Sequence, residues 1–232
     1  MRRVRELIQE IRSHYPQDSF FDAFADSCRT NPEKAKAYRT YDDAFRWLDA
    51  DSWATLRTKA VAHFRDHRPG QLKQGFFNQL NEAFAYRHLA QRGYQGVRIL
   101  PEQGVRVPDI EYFEGSQRYG CEVKTLGISD EEIARRGSRA VFSNVYLQLS
   151  DLFFRKLRNA IAAARSQINS HSPLGLAYLV VVPDDFALDN YDTYRHDIAA
   201  FARAEDVRDV YIKFGLRFNL HMQLRGRLTT GA

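Results

Sequence analysis

Asp109, Glu122 and Lys124 stand out among the charged residues of a short β-type stretch, "VPDIEYFEGSQRYGCEVKTL" at 107–126. Asp109 follows Pro108 directly, and after twelve intervening residues Glu122 and Lys124 flank Val123. Strand side chains alternate between faces, so Glu122 and Lys124 share one side while Val123 takes the other with Cys121 and Thr125. The charged pair is expected on an exposed or cleft-facing side, with Val123 in the core. Asp109 falls on the preceding run of a proposed hairpin, which would set it beside Glu122. Pro108 fixes φ and removes a ladder donor, as suits a strand start or a distorted edge. Two carboxylates at close quarters repel each other unless a cation or a proton lies between them. A hard divalent cation such as Mg2+ suits those oxygens, with water and a substrate phosphate completing its octahedron. Such an ion activates water and offsets charge building on phosphorus. Lys124, at the edge of that site, is placed to orient the attacking water or to stabilise the transition state.

The elements that must position these residues begin with helices. Residues 1–92 read as helical throughout, with Val4, Leu7, Ile8 and Ile11 at helical spacing and breaks at Pro16, Pro32 and "RPG" (68–70). The last helix, "GFFNQLNEAFAYRHLAQRGY", stops at Gly93. Its two stripes, Phe77/Leu80/Phe84/His88 and Glu82/Tyr86/Leu89, predict a helix sandwiched between two layers. After Gly96 the texture changes to short β-type runs, "VRIL", "PDIEYFE" and "RYGCEVKTL". "SDEE" then opens a short helix capped by Ser129, with Glu132 closing the capping box. A longer helix over 150–169, an apolar strand "LAYLVVV" (176–182), a helix near 192–204 and a strand "VYIKF" (210–214) follow. On the long helix, Lys156 and Gln167 flank the apolar arc with Ala160 and Ala163 between them. Small residues there would allow the charged strand, or a nucleic acid, to approach closely.

"PD" at 108–109 with "EVK" at 122–124, inside this order of elements, resembles the PD-(D/E)xK nuclease superfamily, which includes restriction endonucleases. The resemblance covers roughly Phe76 to Val182. It implies an α/β fold: a restriction endonuclease-like core (α-β-β-β-α-β, a mixed sheet flanked by helices) carrying an N-terminal all-helical extension. The corresponding division is a helical subdomain over 1–70 and a nuclease-like domain over 71–232. In that family the acid after the proline and the acid of the second element bind metal, together with the main-chain carbonyl between acid and lysine. Those roles fall on Asp109, Glu122 and Val123, and Lys124 would assist hydrolysis. Many members add a glutamate from the helix before the sheet, and Glu82 stands in that position. A lone acid on a helix is otherwise solvated or paired with an arginine such as Arg87. The resemblance implies Mg2+, with Mn2+ able to substitute. Recombination-type members carry a Gln-x-x-x-Tyr element; Gln148 starts a similar run, with Leu152 in place of the tyrosine.

Charge is unevenly distributed along the 232 residues, whose net charge is +5. From Arg135 to Ser170 there are seven Lys/Arg and one acid, whereas Val181–Val210 holds eight acids against three bases. Such segregation draws a polyanion to one face, although solvated helix faces give the same pattern. Arg135, Arg136, Arg139 and Lys156 are the expected phosphate contacts, while Arg158 and Arg165, on the opposite flank, are expected to be solvated or paired with acids. The expected activity is therefore metal-dependent endonucleolytic hydrolysis, of the restriction, defence or repair kind. DNA is the expected partner ahead of RNA, and a homodimer is compatible with it. The alternatives are a nucleic-acid-binding protein that kept the fold without cleaving, and a protein in which these charges form surface ion pairs. No apolar run approaches the ~20 residues of a membrane span. The N-terminus has no secretory h-region, and the two cysteines have no metal-ligand spacing, so a reduced cytoplasmic setting is expected. Neither a Walker-type loop nor a GxGxxG is present.

Overall fold

In the computed structural model, residues 1–67, 72–102, 104, 106–127, 149–172, 174–182, 191–215 and 220–224 are described. Arg135, Arg136, Arg139, Gln148 and the Ser129-capped helix lie outside them. The described chain has a mixed α/β fold in which helices flank a six-stranded sheet of order β1-β2-β3-β4-β5-β6. The strands are β1 (Gln95–Ile99), β2 (Ile110–Glu114), β3 (Gln117–Leu126), β4 (Gly175–Val181), β5 (Val210–Phe214) and β6 (Leu220–Leu224). β1 and β2 pair antiparallel, β3–β4 and β4–β5 pair parallel, and β5–β6 is antiparallel. No helix among the described residues is long and apolar enough to cross a membrane.

The chain divides into two compact units, Met1–Tyr119 and Gly120–Ala232. The first contains α1 (Arg2–His14), α2 (Phe24–Thr30), α3 (Pro32–Phe45), α4 (Ala50–Ala62), α5 (Gln74–Leu80) and α6 (Glu82–Gln91), followed by β1 and β2. Its α1 has no side-chain cap of its own. Asp42 of α3 supplies one from a distance, its Oδ1 accepting from the Val4 N–H at 3.1 Å while Oδ2 takes Arg46 at 3.0 Å. Burial opposes the charge of this carboxylate, but those hydrogen bonds keep its pKa below the ordinary aspartate value. α6 is buried along Glu82–Tyr86, as expected of a sandwiched helix, and packs against α3, β1 and β2.

α4 ends at His63, whose two ring nitrogens face carboxylates: Nδ1 to Asp66 Oδ2 at 2.6 Å and Nε2 to Glu102 Oε1 at 2.9 Å. Only the imidazolium can donate from both nitrogens. Burial lowers the His63 pKa, but the two acids outweigh it and the net shift is upward. A raised folded pKa gives stability that is complete below the unfolded value of about 6.5 and is lost as pH rises through the folded value. The unfolding free energy from urea titration should therefore fall as pH is raised from about 6 to 8, by at most about 1 kcal/mol for so exposed a cluster. His63→Gln should flatten that slope, and a variant keeping the wild-type pH profile would remove His63 as its source.

The second unit is built on α7 (Asp151–Asn169), capped by the Ser150 side chain accepting from the Phe153 N–H, and on α8 (Tyr191–Ala204). Leu157, Ile161 and Ala164 of α7 pack with Ala177, Leu179 and Val181 of β4 and with Ile198 and Ala202 of α8. At Gly175 a Cβ would lie 2.1 Å from the Gly120 carbonyl oxygen and 2.6 Å from Ile168 Cγ2, so only glycine lets β4 begin here, against β3 and under α7. β6 was not expected: its pattern, Leu220, Met222 and Leu224 alternating with polar residues, is strand-like, but it lies in a basic stretch that reads as a tail.

Candidate functional site

The first unit brings Glu82 and Asp109 onto one cation, supplied by Lys59. Asp109 stands one residue before β2, after Pro108 has removed the ladder donor, and its main-chain carbonyl accepts from the Leu100 N–H at 2.8 Å. Glu82 opens α6 and is 2% exposed. Lys59 Nζ donates to Glu82 Oε1 at 2.5 Å and lies 3.4 Å from Asp109 Oδ1. The Glu82 carboxylate thus takes a cation from the helical extension, Lys59 of α4. Burial works against the Lys59 charge, but Glu82 and Asp109 outweigh it and hold the ammonium well above the ordinary lysine pKa.

Lys59 escaped the sequence reading. A signal for it exists: Trp53, Leu56 and Ala60 mark the buried stripe of α4, and Lys59 falls within that stripe. A charge at an inward helical position needs a buried counter-charge.

In the second unit Glu122 and Lys124 do share a face of β3, as the alternation requires. The parallel register pairs Glu122 with Ala177 and Lys124 with Leu179, so they lie on the sheet side covered by α7. Glu122 is therefore buried, at 1% exposure, where an exposed or cleft-facing carboxylate was expected; Lys124 keeps 30% of its side chain in solvent. Val123, on the opposite side, is only half-buried. Lys124 Nζ donates to Glu122 Oε1 and lies 3.3 Å from Gln167 Oε1 of α7. Gln167 of α7 thus reaches the charged strand, whereas Ala163 on the same flank is exposed. Lys156 is half-buried on the same helix. Arg158 pairs with Glu205 at 2.9 Å, and Arg165 donates to the Arg208 carbonyl at 3.0 Å, so both are engaged within the protein.

Mg2+ is commonly held by only one or two carboxylates, its remaining positions going to water and substrate phosphate. Glu82 and Asp109 fit that requirement: they are hard oxygen donors from two elements that already converge on a single cation, with Lys59 as the stand-in. No group of three or more His, Cys, Asp or Glu placed for a metal ion occurs among the described residues. No family model, curated protein or solved structure matches the chain.

Proposed function

We propose that this chain is a divalent-metal-dependent nuclease of PD-(D/E)xK type, hydrolysing phosphodiester bonds in DNA. The observation that carries the reading is the convergence of Glu82 and Asp109 on one ammonium, since two acids singled out by their positions in the sequence meet at one cation. Glu82 and Asp109, which share the Lys59 ammonium, would hold Mg2+, or Mn2+ in its place. Bound there, the ion would activate water and offset the charge of the transition state. The chain's own part is positional. α6 and the turn at Pro108 fix the acid pair, and Gln167 restrains the Lys124 ammonium so that it can donate to developing negative charge. Arg135, Arg136, Arg139 and Lys156 would carry the phosphate contacts, and a second copy of the chain is compatible with that arrangement.

A non-cleaving nucleic-acid-binding protein of the same fold is the second reading, and Lys59 is what favours it, because an internal ammonium satisfies the acids without any metal. Incubation with supercoiled plasmid separates the two. Nicked and linear products that form with Mg2+ or Mn2+ and vanish with EDTA are the expected result. Retarded but intact plasmid in every lane would select the binding protein, and neither effect would remove both readings.

A further inference from the structure

We infer that Lys59 is a built-in competitor for the metal: its ammonium holds Glu82 and Asp109 together in the ion-free protein and must leave them when a divalent cation binds. The inference rests on the nuclease reading for the identity of the site, and it adds a residue outside the motif that sets how tightly the site takes its ion.

The geometry carries it. The ammonium donates to Glu82 Oε1 at 2.5 Å and stands 3.4 Å from Asp109 Oδ1, the ground a cation coordinated by both carboxylates would occupy. Lys59 is 4% exposed and Glu82 2%, so water cannot substitute freely for either partner. Each binding event must first break the buried ion pair, so the apparent affinity is the intrinsic affinity reduced by the fraction of molecules in which Lys59 has let go. The lysine also keeps two buried carboxylates from repelling each other before the ion arrives.

The test titrates Mn2+ into the full-length wild type and its Lys59→Met, Lys59→Gln and Lys59→Arg variants, by calorimetry and by thermal unfolding with and without EDTA. Lys59→Met should melt below wild type in EDTA, recover much of the difference in Mn2+, and bind Mn2+ at least about tenfold more tightly. Lys59→Gln keeps a donor without the charge and should also bind more tightly, which preserves the test if the methionine variant does not fold. Lys59→Arg should retain wild-type affinity. Equal Mn2+ affinity in wild type, Lys59→Met and Lys59→Gln would overturn the inference and leave the nuclease reading standing wherever plasmid is still cut. If no variant binds Mn2+ and plasmid is not cut, both fall.

Discussion

Asp109→Ala should lower Mg2+-dependent plasmid cleavage by about a hundred- to a thousandfold while the protein stays folded. The fold should tolerate the change because Asp109 is the more exposed member of its trio, and Lys59 keeps Glu82 as its closer partner. What disappears is one of the two carboxylates that define the cation position in the first unit. Lys124→Ala should lower the rate to a similar degree for a different reason, loss of a donor to the transition state. It also leaves the buried Glu122 carboxylate without that ammonium, at a cost below the about 3–5 kcal/mol of a fully buried pair, because Lys124 keeps 30% of its side chain in solvent. Activity of that variant is therefore to be read at temperatures where circular dichroism shows it folded. Glu82→Ala should give a smaller and more variable loss of activity, because it also strands the Lys59 charge in the interior. Full activity in both Asp109→Ala and Lys124→Ala would place the chemistry elsewhere in the chain.

How far the residues could be read without coordinates depended on which physical rule governed each. The shared face of Glu122 and Lys124 follows from the two-residue period of a strand and needs nothing more. Which side of the sheet that face meets is set by the register of β3 against β4 and by α7 lying across them, and no local pattern encodes it. That is why the burial of Glu122 was not foreseen. The burial of α6 was legible from its apolar positions, but the one helix expected there is two, α5 and α6 parted at Asn81, so Phe77 and Leu80 of the first stripe belong to α5. Gln167 was legible only as a flank position; its contact with Lys124 needs the tertiary approach that Gly175 permits. Lys59 is the instructive omission. Attention to acids near the motif leaves out a lysine fifty residues upstream, although its place within the buried stripe of α4 marks it as a charge in need of a partner.

Phe64→Ala should destabilise the first unit by about 3–5 kcal/mol, the range for truncating a fully buried aromatic ring. Phe64 has no exposed surface. Its ring lies 5.2 Å from that of Tyr15, 5.9 Å from Phe21, 5.4 Å from Phe76 and 6.3 Å from Phe20. On top of it sits the Lys73 ammonium, 3.6 Å from the ring centroid and paired with Asp18. Truncation opens a cavity among four rings and removes the π face under a buried cation, so the cost should lie toward the upper end of that range. Phe64→Leu, which refills part of the volume, should cost less than half as much. Urea denaturation followed by circular dichroism measures both, and a Phe64→Ala unfolding free energy within about 1 kcal/mol of wild type would show that the aromatic cluster does not hold α4 in place. The variant also separates folding from chemistry. Phe64 lies just beyond the end of α4, five residues after Lys59, and its ring packs among Tyr15, Phe20, Phe21 and Phe76. Cleavage by Phe64→Ala should therefore fall in proportion to its unfolded fraction and return at low temperature, whereas Asp109→Ala should stay slow however well it is folded.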